Sequence, residues 1–115
     1  MSRLPIIVEE ADVGDPEDWL HNPHAGEMLE ADFMAPLSLT NDDLAQALAI
    51  PTKRLADVVA GRRRMDADLD LRLARYFRLS PGFFLDLQTS YELLEAKRML
   101  RGRLDAIVPR PAEAA

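Results

Sequence analysis

Cysteine is absent from the 115-residue sequence, which excludes disulfide bonds and thiolate chemistry and fits a reducing, cytoplasmic setting. Long hydrophobic runs are absent as well. The apolar stretch near the N-terminus spans only Leu4 to Val8, which is too short for a secretory signal or a membrane span. No segment alternates apolar and polar residues over a useful length, so we expect no sheet core. These absences favour a soluble, cytoplasmic, all-α protein without a membrane partner.

The sequence also lacks the residue sets that many enzymes use. It has no recognisable Ser–His–Asp or Cys–His arrangement and no glycine-rich phosphate loop. His21, His24 and Glu27 recur every three residues, but no third histidine and no cysteine is present to complete a zinc site. We therefore expect no enzymatic activity, no bound metal and no other cofactor.

Charge is distributed unevenly along the chain, whose formal net charge is -6 at pH 7. Residues 1–23 and residues 24–50 each carry a net charge of -5, and the second of these segments has no basic residue. Residues 51–81 have a net charge of +4, and residues 82–115 are balanced. A globally acidic chain can therefore present one basic face, and the local field decides which partner docks there.

Apolar residues at helical spacing predict about five helices. The predicted helices run from His24 to Pro36, from Thr40 to Ala49, from Pro51 or Thr52 to Gly61, and from Asp66 or Asp68 through Phe77, with a fifth that opens at Ser80 and Pro81. Pro51 ends the second helix, because a proline disfavours helical angles at the residue before it. The apolar pattern of the fifth helix extends to Ile107, with an interruption at Gly102.

The second and third predicted helices form a helix-turn-helix candidate, because both are short, a turn of three or four residues joins them, and a basic loop follows. The outward positions of the third helix can reach base edges in a major groove; they are Thr52, Lys53, Arg54 and Asp57. Asp57 has an equally favoured alternative role, which is to orient Lys53 and Arg54 from three or four residues away. The loop arginines can lie along DNA phosphates; they are Arg62, Arg63 and Arg64.

Several motifs between His21 and Leu94 carry a family resemblance. They are PHAGE at residues 23–27, the segment Thr40–Leu48, Gly61-Arg62-Arg63, LARYF at residues 73–77 and SPGFFLDLQ at residues 80–88. The chain resembles the HigA antitoxin branch of the phage-repressor-like XRE (Cro/C1) helix-turn-helix family. It departs from the family pattern at Ala25, where proline is common, and at Ala49, where many relatives have glycine.

The resemblance implies a lambda-repressor-like DNA-binding domain that forms a homodimer, represses its own operon and binds a small ribonuclease toxin of the HigB or RelE type. It matches Thr52, Lys53 and Asp57 to base-reading positions of the wider repressor family. It matches Asn41, Arg62 and Arg64 to phosphate contacts. Double-stranded operator DNA and a small basic toxin are thus the expected partners.

Three segments follow from these patterns: an acidic, flexible extension over residues 1–22, a helix-turn-helix domain with a C-terminal dimerisation helix over residues 23–108, and a frayed tail over residues 109–115. The candidate dimer contacts are Phe84, Leu87, Tyr91 and Leu94, some of which could instead pack in the core. Two other functions stay open, namely a stand-alone XRE-type regulator without a toxin, and a toxin-neutralising interaction module with little DNA specificity.

Overall fold

A computed structural model describes residues 20–112, so the predictions for residues 1–19 and 113–115 lie outside the described residues. The described part is all α, with five α-helices and no strand, as the sequence predicts. The helices are α1 (Ala25–Leu29), α2 (Asn41–Leu48), α3 (Thr52–Val59), α4 (Ala67–Phe77) and α5 (Phe83–Met99). A π-helical turn, Glu30–Met34, extends α1, and a 3-10 turn, Leu104–Ala106, follows α5. None of the described helices is both long and apolar enough to cross a bilayer.

The core lies where α1 packs on α3 and α5, and where α4 packs on α2 and α5. Its largest fully buried apolar side chains are Phe84, Leu29, Leu44, Leu55, Met65, Leu69, Leu73 and Val58. Burying one such side chain contributes about 1.5–3 kcal/mol, so this cluster is the main source of stability.

The crossing of α1 and α3 requires a residue without a side chain. A Cβ atom on Gly26 would lie 1.9 Å from the backbone oxygen of Val58, which is closer than atoms can approach. At the start of α1, the His24 Nδ1 atom accepts a hydrogen bond from the backbone N–H of Glu27 over 3.2 Å. This contact is an N-cap, and it stabilises the N-terminal end of α1.

Helix α2 begins with a capping box between Thr40 and Asp43, as its sequence favours. Its last residue is Leu48, and the C-cap Ala49 adopts the left-handed conformation with φ 59° and ψ 45° although it is not a glycine. Arg72 on α4 donates from Nη1 to the Leu48 carbonyl over 2.8 Å. This arginine satisfies a carbonyl at the C-terminal end of α2, where no intrahelical donor remains.

Helix α5 begins at a different residue than predicted. Ser80 and Pro81 do not form its cap and first position; they lie before Gly82, which is the N-cap and has φ 97°. Asp70 of α4 replaces a local cap, because its buried carboxylate accepts from the backbone N–H groups of Gly82 (2.6 Å), Phe84 (2.7 Å) and Leu85 (3.1 Å). A carboxylate at a helix N-terminus also interacts favourably with the helix dipole.

The C-terminal end of α5 also differs from the extended apolar pattern. The helix stops at Met99, and the chain turns through Gly102 at φ 82° before the 3-10 turn. Leu104 and Ile107 are therefore exposed residues beyond the helix, not a continuation of its buried stripe.

Candidate nucleic-acid interface

Helix α3 has one buried side and one outward side. Leu55 and Val58 are almost completely buried, whereas Thr52 is exposed and the Lys53 side chain is 85% exposed. Three residues separate the end of α2 at Leu48 from the start of α3. The two helices thus have the connection that a helix-turn-helix needs, with polar side chains of α3 facing solvent.

Asp57 connects this outward side to the arginine loop. Its Oδ2 atom accepts from Lys53 Nζ over 3.0 Å, and its Oδ1 atom accepts from Arg62 Nε over 3.2 Å. Its backbone carbonyl accepts from the N–H groups of Arg62 and Arg63. The hydrogen bond from Lys53, with a further contribution from Arg62, lowers the pKa of Asp57. Of the predicted orienting contacts, the one to Lys53 is observed, whereas Arg54 pairs with Asp66 and Asp68 and Arg62 is the second cation on Asp57. A base-reading role for Asp57 stays a prediction.

Arg54 does not face outward, so that prediction was wrong. Its Nη2 atom donates to Asp68 over 2.8 Å and to Asp66 over 3.2 Å, and its side chain is only 19% exposed. The two carboxylates stand at the start of α4 and attract the guanidinium across the gap between α3 and α4. The sequence-based assignment of Arg54 to base contacts depended on an outward position that the side chain does not have.

The loop after α3 turns at Gly61, which has φ 82° and faces the His24 ring. The three arginines that follow are all exposed, but they diverge. Arg62 pairs with Asp57 over 3.1 Å, and an Arg63 nitrogen lies 4.0 Å from Asp66. Arg64 donates from Nε and Nη2 to the Glu92 carboxylate on α5, over 2.8 and 3.2 Å. The loop thus borders three different helices.

A cavity of about 200 Å³ lies beneath this loop. Its lining is mostly charged or polar: His24, Gly61, Arg62, Arg63, Arg64, Gln88, Tyr91 and Glu92. The Tyr91 and His24 rings pack in a T-shaped arrangement, with centroids 5.8 Å apart. The loop, α5 and the start of α1 are therefore packed as one unit.

Asn41 is the first residue of α2 and is half buried. Its position places it among the N–H groups that a helix N-terminus presents to an anion. Asp42 and Asp43 are exposed in the same turn, so a phosphate that approached Asn41 would also meet two carboxylates.

The histidine pattern near the N-terminus is used for local contacts. His21 Nε2 lies 2.6 Å from one carboxylate oxygen of Glu27, and His24 caps the backbone of the same residue. Within residues 20–112, no group of three or more histidine or acidic side chains is arranged to hold a metal ion.

Comparisons with known proteins agree with this geometry. No protein-family model matches the chain. Virulence-associated protein I of Dichelobacter nodosus is 33% identical over 91 residues, which span 79% of this chain and 83% of that protein. An addiction module antidote protein of the HigA family from Coxiella burnetii has a solved structure that is 32% identical, with a TM-score of 0.74. The match covers 80% of this chain and all of that one.

The chain belongs to the HigA family of helix-turn-helix antitoxins.

A second HigA structure is a complex with DNA. The Pseudomonas aeruginosa antitoxin HigA, solved with the higBA promoter, is 28% identical to this chain. Its TM-score is 0.74, and the match covers 80% of this chain and all of that one. The two chains therefore share their fold over most of this chain.

In this HigA-family chain the candidate dimer contacts have unequal exposure. Phe84 has no exposed surface and packs against Phe33 with ring centroids 5.3 Å apart. Phe84 is therefore a core residue, and its assignment to a dimer contact was wrong. Its backbone N–H donates to the buried Asp70 carboxylate, which holds this part of α5 against α4. Leu87, Tyr91 and Leu94 are partly exposed, and their intersubunit role stays a prediction.

Four further side chains hold the elements of the candidate interface together and were missed from the sequence: Asp70, Arg72, Gln88 and Glu92. Two of their contacts have a local signal, because Asp68 pairs with Arg72 and Gln88 with Glu92 at a spacing of four residues. The other contacts join different helices, and no local pattern in the sequence indicates them.

Proposed function

We propose that this HigA-family protein is a sequence-specific DNA-binding antitoxin that acts as a homodimer and represses transcription. The outward side of α3 supports this most directly, because Thr52 and Lys53 are exposed beside Arg62 and Arg63. The Pseudomonas aeruginosa relative with the same fold was solved with its promoter, which supports the same function here.

In the proposed complex, α3 enters the major groove and uses Thr52 and Lys53 to contact base edges. Arg62, Arg63 and the start of α2 at Asn41 contact phosphates on either side. Asp57 orients Lys53 and Arg62, as it does in the free protein. A homodimer would present two copies of α3 to half-sites about 34–36 Å apart, which is one helical turn of DNA.

The experiment that tests DNA binding is a fluorescence-anisotropy titration with a duplex from upstream of the protein's own gene. A scrambled duplex of equal length is the control, and both are titrated at 50 and 200 mM salt. We expect tighter binding to the upstream duplex and a steep loss of affinity as the salt concentration rises. Protein binding releases counterions from the DNA phosphates, and this release becomes less favourable in concentrated salt. Equal affinity for both duplexes would contradict a sequence-specific repressor and leave the helix-turn-helix as a scaffold.

A second function, toxin neutralisation, is proposed from charge and family membership. Between residues 24 and 50 the chain has five acidic residues and no basic residue, and Glu30, Asp32, Asp42 and Asp43 are exposed. Such a surface complements a small basic ribonuclease and accelerates its association. A stand-alone regulator would lack this partner.

A neighbouring gene for a small basic protein would support this function, and co-purification with the product of that gene tests it. Wild-type protein and a Glu30→Lys/Asp32→Lys variant are compared in the same assay. We expect the wild type to retain the ribonuclease and inhibit it, and the variant to associate more slowly. Absence of any complex at micromolar concentration would favour the stand-alone regulator.

A further inference from the structure

Arg64 is held on α5 by a bidentate ion pair. Its Nε and Nη2 atoms both donate to the Glu92 carboxylate, over 2.8 and 3.2 Å. Paired hydrogen bonds of this kind fix both the charge and the orientation of a guanidinium. Arg64 therefore differs from Arg63, which is also exposed but lies 4.0 Å from the nearest carboxylate oxygen within residues 20–112.

Gln88 supports this pair from the buried side of α5. Only 4% of its surface is exposed, its amide oxygen accepts from the backbone N–H of Met65, and its amide nitrogen donates to Glu92 over 2.8 Å. The Glu92 carboxylate therefore receives donors from both Gln88 and Arg64. These contacts, together with the burial of Met65, secure the end of the arginine loop to α5.

Arg64 and Glu92 form a one-to-one ion pair, which contributes little net charge to the surface around it. Asp57, by contrast, is shared by Lys53 and Arg62, so that cluster retains a net positive charge. If Arg64 is to contact a DNA phosphate, it must leave Glu92 or bring that negative charge close to the phosphate. Either step offsets the attraction that a free arginine would supply.

We propose that Glu92 is a positioning residue that holds Arg64 on α5 and so withholds one cation from the DNA backbone, which sets the overall DNA affinity. This inference rests on the proposed DNA-binding function. It assigns to α5 a direct influence on the DNA-binding loop.

The test compares Glu92→Gln with Glu95→Gln in the anisotropy titration described above. Both variants remove one negative charge from α5, and Glu95 contacts Asn22 and Arg98 rather than the loop. We expect Glu92→Gln to bind both the upstream and the scrambled duplex about 3- to 10-fold more tightly than Glu95→Gln. Its salt slope should be steeper by about 0.9, because the released Arg64 neutralises one more phosphate.

A double variant, Arg64→Gln/Glu92→Gln, has the net charge of the wild type and can retain an amide–amide hydrogen bond at this place. We expect its affinity to stay within about twofold of the wild type and its salt slope to be unchanged, because a withheld arginine contributes no phosphate contact. A loss of about one unit of slope in the double variant would overturn the proposal, since Arg64 would then contact phosphate in the wild type.

Equal behaviour of Glu92→Gln and Glu95→Gln would also overturn it, as would weaker binding by Glu92→Gln. These outcomes are distinct from failure of the proposed function, which would appear as no preference of the wild type for the upstream duplex. Circular dichroism melts of all variants establish that they are folded before binding is compared.

Discussion

The Arg54 guanidinium on α3 lies 2.8 Å from the Asp68 carboxylate at the start of α4. Arg72 donates to the same carboxylate and also to the Leu48 carbonyl at the end of α2. Asp68 and Arg72 together thus link α4 to both α3 and α2. The hydrogen bond that Arg54 donates to Asp68 is the largest cause that raises the pKa of Arg54.

Arg54→Ala is expected to lower the free energy of unfolding by about 1–2 kcal/mol, because it removes two hydrogen bonds and the packing of a largely buried stem. Urea denaturation monitored by circular dichroism measures this. Lys53→Ala is the matched control, and its stability should stay within about 0.5 kcal/mol of the wild type because the side chain is exposed. Equal effects of the two variants would show that Arg54 has no anchoring role.

Lys53→Ala should instead affect DNA binding. We expect it to cost roughly 1–3 kcal/mol on the upstream duplex and to reduce the preference over a scrambled duplex. Arg62→Ala should weaken binding to both duplexes similarly and reduce the salt slope by about one unit. Anisotropy titrations measure all four affinities. Equal losses on both duplexes for Lys53→Ala would contradict a base-reading role.

The free energy of unfolding should fall as the pH drops below the ordinary aspartate pKa of 3.8. Hydrogen bonds from Arg54 and then Arg72 lower the pKa of Asp68 in the folded protein. A carboxyl group whose folded pKa is below its unfolded value stabilises the fold above the unfolded pKa. That stabilisation is lost as the pH falls through the folded pKa. We therefore expect the melting temperature of Asp68→Asn to decline less than that of the wild type between pH 6 and pH 3. Parallel declines would contradict this role for Asp68.

Asp70→Asn should destabilise the junction of α4 and α5. The substitution keeps the size of the side chain, but it removes the charge that faces three N–H donors and points an amide group toward some of them. We expect a loss of about 1–3 kcal/mol in urea denaturation. Asp86→Asn, an exposed change in the first turn of α5, is the control and should have a smaller effect.

The elements that the sequence predicts well are those with local signals. Apolar spacing and the Thr40 cap placed α2 and α3, and Gly61 placed the end of α3, because these signals act within one or two turns. The same signals indicate the exposed side chains Thr52 and Lys53. Each of these is a property of a single short segment.

The features that could not be predicted depend on contacts between segments. Arg54 turns toward Asp68, 14 residues later, and Arg64 pairs with Glu92, 28 residues later. Ser80 and Pro81 resemble a helix start in the sequence, but Asp70 supplies the acceptors and the helix begins after Gly82. Phe84 is buried because its backbone N–H donates to Asp70 of α4 and its ring packs against Phe33. In each case the deciding charge or surface comes from another helix.

Of the eight residues of α3, some anchor the helix in the fold and others are displayed to solvent. Leu55, Val58 and Arg54 hold it in the fold, whereas Thr52 and Lys53 make few contacts within the protein. Because the two sets do not overlap, the displayed positions can change without weakening the scaffold. Under the proposed function, one or two substitutions at these displayed positions would give a duplicated copy a new operator and insulate it from its parent.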